Sequence, residues 1–167
     1  RKVDVALDEQ FAAYLPELVQ ELAIDEWREH CANMKLKYPE RYDAPGEKVF
    51  APEMLRKLSL AGGDKAIVCS DVGQHQMWVA QHFQVTRANA HLSSGGLGTM
   101  GYGLPAAIGA HYADPDACVI CVSGDGGIMM NIQELATMNR YHLPVKVIVL
   151  DNSRLGMVKQ WQELFFG

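Results

Sequence analysis

The chain has 167 residues, of which 49% are hydrophobic, so it is long and apolar enough for roughly one domain with its own core. Its formal net charge is -5 and its cationic side chains are scattered, which argues against a nucleic-acid partner and favours small molecules or proteins. Its apolar runs are far shorter than the roughly 20 residues of a membrane helix, and no signal-like segment opens it, so we expect a cytoplasmic protein without a membrane partner.

The first third of the chain predicts a helical segment followed by a linker. Residues 4–32 are charged and amphipathic with apolar side chains at helical intervals, and Pro16 is expected to interrupt the helix. Residues 34–48 contain two prolines, one glycine and alternating charges, the composition of a surface linker. We therefore place a domain boundary there, between a helical tail at residues 1–33 and a second domain at residues 49–167.

The second domain alternates short apolar strands with helices. After a helix that begins near Pro52, the pattern predicts strands at 66–70, 88–92, 117–122 and 145–150, and helices at 74–83, 102–112, 129–140 and from 157 onward. Strands that are apolar on both faces and separated by helices are typical of a parallel sheet covered on both sides. The predicted fold class is therefore α/β, with a parallel sheet and helices on both of its faces, incomplete at the C-terminus.

Cysteine and histidine spacing does not indicate a zinc site. Cys118 and Cys121 have the spacing of a redox motif, but residues three apart in a strand point to opposite faces, so we interpret them as buried thiols. Histidines do not occur in pairs with a third ligand at zinc-like spacing.

An acidic residue and an asparagine follow two consecutive strands of the predicted sheet. Asp125 comes after strand 117–122 and Asn152 after strand 145–150, so both are expected at the edge where open parallel sheets bind ligands. Carboxylate and amide oxygens suit Mg²⁺, usually with phosphate oxygens in the same shell. Three glycines would let the backbone approach a diphosphate: Gly124, Gly126 and Gly127. The alternative is that GDGG is only a turn and DNS only a helix cap or an Asx turn.

Four stretches together carry a specific resemblance. They are SDVGQHQMWVAQHF at 70–83, SSGGLGTMGYGLPAAIGA at 93–110, GDG with its asparagine 27 positions later, and NSRLGMVKQWQELFF at 152–166. From about residue 49 to 166 the chain resembles the catalytic large subunits of bacterial acetolactate synthases, also called acetohydroxyacid synthases, in the thiamine-diphosphate-dependent superfamily. Asp151 stands where the general superfamily pattern has a second asparagine, a departure also found within this subfamily.

The resemblance implies a role for each matching residue. It implies that Asp125, Asn152 and the backbone carbonyl of Arg154 bind Mg²⁺. The positions that match the diphosphate-binding segments are Gly73, Gln74, His75, Gly124, Gly126 and Gly127. Three further positions match residues around the cofactor: Met100 the residue wedged beneath it, Gly98 the backbone carbonyl that accepts from its 4'-amino group, and Met157 a neighbour of the substrate channel. Trp161 matches a residue of that channel.

These positions also have simpler interpretations. Met100 and Met157 could fill gaps in the core, and Trp161 could bury its ring at a domain contact. Gln74 and His75 could cap the helix that begins there, and the glycine-rich stretch at 93–103 could be a flexible loop.

The resemblance implies condensation of two pyruvates, or of pyruvate with 2-ketobutyrate, with loss of CO₂. It places the activating glutamate outside this chain, in a domain contributed by a second subunit of a dimer, and FAD mostly in a middle domain. A small regulatory subunit is a further expected partner. The chain would be an internal, inactive fragment with the thiamin diphosphate-binding fold of the pyrophosphate-type domain. Two alternatives are another pyruvate-handling thiamine-diphosphate enzyme and a non-catalytic diphosphate-binding module.

Overall fold

The computed structural model describes residues 23–42 and 49–167. Chain contacts divide the protein into two units, residues 1–41 and 42–167. In the first unit one helix is described, α1 (Asp25–Lys37). The remainder of the predicted helical segment, including Pro16, lies outside the described residues.

Helix α1 continues past the predicted start of the linker. Residues 34–37 are helical, so a linker beginning at residue 34 is wrong. Two features of the sequence favour an end of α1 at Lys37 rather than before residue 34. Lys35 and Lys37 lie in the last turn, where cations interact favourably with the helix dipole, and Pro39 disfavours helical geometry at Tyr38. Residues 43–48 of the predicted linker lie outside the described part of the chain.

The second unit is a four-stranded parallel sheet between helices. Its elements in chain order are α2 (Ala51–Gly62), a 3₁₀ turn (Gly63–Lys65), β1 (Ala66–Ser70), α3 (Gln74–His82), β2 (His91–Ser93), α4 (Gly103–Ala113), β3 (Cys118–Gly124), α5 (Asp125–Met130), α6 (Glu134–Arg140), β4 (Lys146–Leu150) and α7 (Gly156–Phe166). The strand order is β2-β1-β3-β4, and every neighbouring pair is parallel. The predicted α/β fold class is confirmed.

Two apolar clusters cover the two faces of the sheet. On one face, Leu55 of α2 and Val79 of α3 pack against Val68 and Ile120. On the other face, the buried side of α4, with Leu104 at its start, packs with Ile128 of α5 against the alternate strand residues. Because neighbouring strand residues point to opposite faces, strands that serve both clusters have to be apolar throughout.

The cysteines in the strands follow the same alternation. Cys121 lies in the cluster with α4, whereas Cys118 packs against the cluster of α2 and α3. The predicted opposite orientation of Cys118 and Cys121 is therefore confirmed. Burial raises the pKa of Cys69 to about 12 and that of Cys121 to about 12, as expected for thiols held in an apolar interior.

Two predicted elements differ from the structure by more than two residues. Strand β2 begins at His91 rather than at residue 88, because Asn89 has a φ of 59°, which a strand does not accommodate. The predicted helix 129–140 is two helices, α5 and α6. It is interrupted at Asn131, which leaves helical geometry and donates from Nδ2 to the Gly101 carbonyl at 2.7 Å.

Strand order fixes where a ligand site is expected. In the order β2-β1-β3-β4, the connection after β1 leads to β2 on one side and the connection after β3 leads to β4 on the other side, so the switch point lies between β1 and β3. Among the described residues, no helix is both long and apolar enough to cross a membrane.

Candidate functional site

A large open cleft lies at the carboxyl ends of β1, β3 and β4. Its volume is about 1110 Å³. Its walls come from the segments that follow these three strands, from the glycine-rich loop before α4, and from α7. Every residue that the sequence singled out as a site residue lines this one cleft: Gly73, Gln74, His75, Gly98, Met100, Gly124, Asp125, Gly126, Gly127, Asn152, Arg154, Met157 and Trp161.

Sheet register brings Asp125 and Asn152 to the same edge. Gly124, the last residue of β3, lies opposite Leu150, the last residue of β4. Asp125 directly follows Gly124 and begins α5, while Asn152 lies two residues after Leu150. The Asp125 side chain is half-buried and that of Asn152 is exposed. The sequence therefore placed the two oxygen donors correctly on one edge of the sheet.

Local hydrogen bonds orient the Asn152 side chain. Its Oδ1 accepts from the Arg154 backbone N–H at 3.2 Å, and its Nδ2 donates to Gln74 Oε1 at 3.3 Å. The preceding Asp151 accepts from the Ser153 backbone N–H at 2.7 Å. The DNS stretch therefore does form Asx turns, and these turns hold the Asn152 carboxamide beside the loop that follows β1. Arg154 donates from Nε to the Asn152 backbone carbonyl at 3.1 Å.

Gln74 joins the loop after β1 to the segments after β4. Besides accepting from Asn152, it donates from Nε2 to Gln160 Oε1 of α7 at 3.1 Å. A Cβ at Gly156 would overlap the Gln74 carboxamide oxygen, so only glycine fits there without displacing Gln74. The sequence analysis did not identify Gln160 or Gly156 as part of the site. A glycine at the start of a helix beside the sheet edge could have indicated Gly156.

His75 is buried between two glycines. A Cβ at Gly73 would lie 2.7 Å from His75 Cε1, and one at Gly124 would lie 3.0 Å from it. Burial lowers the pKa of His75, and the Asp71 charge, a backbone hydrogen bond with Asp71 and the Asp125 charge oppose that shift. Its Nε2 is buried and has no hydrogen-bond partner within the described part of the protein. A buried polar atom without a partner at a glycine-lined cleft is a group that a ligand can satisfy.

The helix-cap interpretation of Gln74 and His75 is wrong. The N-cap position of α3 is Gly73, which has no side chain to cap the helix; the Gln74 carboxamide is bonded to Asn152 and Gln160, and His75 Nε2 has no partner within the described part of the chain.

Glycines after β3 permit close packing. A Cβ at Gly126 would lie 3.1 Å from Leu155 Cδ2 and 3.5 Å from Met100 Cε, and one at Gly127 would lie 3.0 Å from Asp71 Cγ. Each of these contacts brings a different loop against the first turn of α5. The backbone of GDGG lines the cleft as a glycine cradle, and side chains at Gly126 or Gly127 would push the neighbouring loops away from it.

The remaining predicted residues form the apolar wall of the cleft. Met100 and Met157 are half-buried and belong to neither core cluster, so they do not fill gaps in the core. Trp161 is 58% exposed within this chain and stacks on Phe165, with ring centroids 5.1 Å apart. Gly98 has a φ of 63°, and its N–H donates to the Ser94 carbonyl at 2.9 Å, so the glycine-rich loop has a defined turn.

Sequence reasoning missed Asp71, a buried carboxylate at the end of β1. Only 1% of its surface is exposed, and it accepts hydrogen bonds from the glycine-rich loop and from Ser123. Its position in the sequence could have indicated this residue. Asp71 directly follows an apolar strand, as Asp125 does, and the same reasoning about strand ends applies to both.

The donor set fits a magnesium diphosphate. Asp125 and Asn152 offer the hard oxygens that Mg²⁺ prefers, and the glycine cradle and His75 Nε2 lie beside them. Within residues 23–42 and 49–167, three His, Cys, Asp or Glu side chains do not converge on a common metal position. Phosphate oxygens, backbone carbonyls and water would therefore complete the shell.

The comparisons with known proteins agree with this site. The family described as thiamine pyrophosphate enzyme, C-terminal TPP binding domain, matches residues 71–167. The chain belongs to this family. A solved structure with a TM-score of 0.68 and 25% identity, covering 75% of this chain and 24% of that one, is the thiamine diphosphate-dependent 4-hydroxybenzoylformate decarboxylase of Rhodococcus jostii RHA1.

Among curated proteins the chain is similar to acetolactate synthases, which confirms the resemblance seen in the sequence. It is 51% identical over 166 residues to the acetolactate synthase isozyme 2 large subunit of Escherichia coli (strain K12), covering 99% of this chain and 30% of that protein. It is 47% identical over 146 residues to the chloroplastic acetolactate synthase 2 of Brassica napus, covering 87% of this chain and 23% of that protein. The chain thus spans less than a third of the length of these relatives.

Proposed function

We propose that this chain is the cofactor-anchoring segment of an acetolactate synthase catalytic large subunit, and that its cleft binds thiamine diphosphate through Mg²⁺. The observation that carries the proposal is the convergence of three loops on one cleft. The GDGG turn after β3, the DNS turn after β4 and the GQH turn after β1 meet there, and the hydrogen bond between Asn152 and Gln74 joins the last two. The 51% identity to an acetolactate synthase large subunit supports the particular activity.

In this proposal the metal is held by the Asp125 carboxylate, Asn152 Oδ1 and the backbone carbonyl of Arg154. Asn152 Oδ1 already accepts from the Arg154 N–H, which fixes the direction of the carboxamide, and a carbonyl-type oxygen has a second lone pair for a cation. The diphosphate would lie against residues that line the cleft beside the metal: Gly73, Gln74, His75, Gly124, Gly126 and Gly127. His75 Nε2 would gain there the hydrogen-bond partner that it lacks among residues 23–42 and 49–167.

The apolar wall would shape the rest of the cofactor. Met100 lies close to Gly126 and is proposed to support the bent cofactor from beneath, while the Gly98 carbonyl accepts from its 4'-amino group. Met157 and Trp161 on α7 would border the channel for the 2-ketoacid substrates. When bound, thiamine diphosphate supplies the carbanion chemistry, and the protein supplies orientation and exclusion of water.

The whole protein is proposed to condense two pyruvates, or pyruvate with 2-ketobutyrate, with release of CO₂. This reaction would serve the synthesis of valine and isoleucine. We further propose that the segment up to the end of α1 at Lys37 is the tail of a preceding domain, that the residues after it connect it to the cofactor domain, and that FAD binds mostly outside this chain. The activating glutamate would come from a second subunit of a dimer in the cytoplasm. The relatives named large subunits suggest a small regulatory subunit as a partner.

A second candidate is a thiamine-diphosphate decarboxylase, because the solved structure with this fold is one. Its identity of 25% is half that of the acetolactate synthase relative. Incubating the full-length protein with pyruvate and, separately, with 4-hydroxybenzoylformate separates the two, because a synthase forms acetolactate from pyruvate and a decarboxylase releases the aldehyde of the ketoacid that it accepts.

Calorimetry tests the site itself. Thiamine diphosphate is titrated into the full-length protein with Mg²⁺ and then with a chelator, beside Asp125→Ala. Asp64→Ala is the matched control, since it removes the same charge from an exposed turn just before β1, at the opposite edge of the sheet. We expect Mg²⁺-dependent binding that Asp125→Ala abolishes and Asp64→Ala retains. Equal binding by both variants would remove Asp125 from the metal site, and ADP displacing thiamine diphosphate would favour a general diphosphate-binding module.

A further inference from the structure

The Asp71 carboxylate connects three segments of the cleft. Its Oδ1 accepts from the backbone N–H groups of Val72 at 2.7 Å and Gly101 at 2.9 Å. Its Oδ2 accepts from the Gly103 N–H at 3.3 Å and from Ser123 Oγ at 3.2 Å. A buried carboxylate is stable only when its oxygens are satisfied, and here the donors come from the end of β1, the end of β3 and the glycine-rich loop.

Close packing around Asp71 leaves its side chain and the neighbouring backbone little room to move. A Cβ at Gly103 would lie 3.0 Å from the Asp71 backbone nitrogen, and one at Gly127 would lie 3.0 Å from Asp71 Cγ. Glycines on both sides therefore let the backbone approach the carboxylate closely. The distance from the glycine-rich loop to the strand ends is fixed by this contact.

Each of the three connected segments holds a different part of the cleft. The segment after β1 carries Gln74 and His75, the segment after β3 carries Asp125, and the glycine-rich loop carries Gly98 and Met100. A ligand with a ring at one end and a diphosphate at the other contacts all three. Its affinity depends on their separation being set before it binds, since preorganisation lowers the cost of ordering the site.

We propose that Asp71 is a positioning residue for the cofactor, whose carboxylate holds the glycine-rich loop at the correct distance from the diphosphate-binding edge. The inference rests on the proposed function and deepens it. Asp71 acts through Gly101 and Gly103 on the neighbouring Met100, and it does not itself contact substrate. Its loss impairs binding of a ligand that spans both ends of the cleft more than binding of a diphosphate alone.

Asp71→Asn separates this role from simple stabilisation. The carboxamide keeps an acceptor oxygen for Val72 and Gly101, but its NH₂ group faces the Gly103 N–H, so a donor meets a donor and the second attachment of the loop is lost. Ser123 can still bond to the NH₂ group by turning its hydroxyl. The main change is therefore at the glycine-rich loop.

The test compares two ligands in the full-length protein with Mg²⁺. Thiamine diphosphate binding is measured by calorimetry, and inorganic pyrophosphate is measured as its competitor. We expect Asp71→Asn to weaken thiamine diphosphate about tenfold, the effect of one lost hydrogen bond to a charged group, and pyrophosphate less than about threefold. Ser70→Ala is the matched control, because it removes a buried hydrogen bond, to His91 Nε2 at 3.0 Å, from the adjacent residue of β1. It is expected to leave the ratio of the two affinities unchanged.

An unchanged ratio in Asp71→Asn, or equal weakening of both ligands, would overturn the inference. If Asp71→Asn does not fold, judged by circular dichroism, Ser123→Ala decides, since it removes the donor that joins this carboxylate to the end of β3 and so frees the loop, still bonded to Asp71, relative to the β3 part of the diphosphate-binding edge. A ratio shifted about threefold supports the inference and an unshifted ratio overturns it. If pyrophosphate does not compete with thiamine diphosphate for the wild-type protein, the diphosphate-binding edge does not bind a diphosphate by itself, and the inference is overturned. Wild type that does not bind thiamine diphosphate refutes the proposed function itself, whereas normal wild-type binding with an unshifted ratio refutes only the role of Asp71.

Discussion

Replacing Gly73 by alanine should disrupt the site in two separable ways. Gly73 has a φ of 153° and a ψ of -165°, a region that residues with a side chain essentially do not adopt, and occupying it costs about 1–3 kcal/mol. In addition, the new Cβ would lie 2.7 Å from His75 Cε1. Because only 6% of the His75 surface is exposed, its ring has little room to move, and the start of α3 would have to shift.

Two other glycines separate the backbone cost from the contact with His75. Gly63 has a φ of 58° and a ψ of -154°, in the same glycine-only region, but a Cβ there meets none of the described residues within 4 Å. Gly95 does not have a positive φ, and a Cβ there likewise meets no described residue within 4 Å. Gly63→Ala should therefore cost about 1–3 kcal/mol of unfolding free energy. Gly95→Ala should change stability by less than about 1 kcal/mol, because alanine mainly restricts the unfolded chain.

The assay measures unfolding by urea and thiamine diphosphate binding by calorimetry on the same three variants. We expect Gly73→Ala to lose more stability than Gly63→Ala and to bind the cofactor at least about tenfold more weakly. Gly63→Ala should lose stability while keeping its affinity, because it lies at the other end of β1. The reasoning is refuted if Gly73→Ala binds the cofactor as well as Gly63→Ala does.

Two further predictions concern the buried thiols and the chain by itself. Below pH 9 the thiols of Cys69 and Cys121 are protonated in both the folded and the unfolded chain, but between pH 9 and about 12 only the unfolded chain ionises them. The free energy of unfolding should therefore fall as pH rises above 9, by about 1.4 kcal/mol per pH unit for each thiol. In urea titrations Cys121→Ala should show about half of that pH dependence, and an unaltered slope would contradict the assignment. The present chain alone should form no acetolactate from pyruvate, because the activating glutamate is proposed to lie outside it; product above the no-protein control would disprove this.

Much of the fold followed from local sequence patterns. Strand β3 is apolar on successive residues and is flanked by helices. This pattern is typical of a strand in a parallel sheet that is covered on both faces. Asp125 and Asn152 could be paired across 27 positions because the carboxyl ends of parallel strands meet at one edge. These inferences needed only the hydrophobic periodicity of each helix and strand and the parallel direction of the strands.

The interruption between α5 and α6 could not be predicted in this way. Residues 129–140 read as one continuous helix because their composition does not include proline or glycine. The helix ends at Asn131 because its side chain bonds to Gly101, thirty residues earlier in the chain. A local pattern contains no information about such a partner.

Local patterns therefore predicted the order of the elements, the edge of the sheet that carries the candidate site, and the chemical types of its candidate donors. Which side chains meet depends on the tertiary structure. Asp71 lies thirty residues from Gly101 in sequence, and Gln74 lies 86 residues from Gln160, yet each pair is joined by a hydrogen bond of about 3 Å. The physical reason is that periodicity is a property of neighbouring residues, whereas the satisfaction of a buried carboxylate depends on the paths of loops that the sheet brings together.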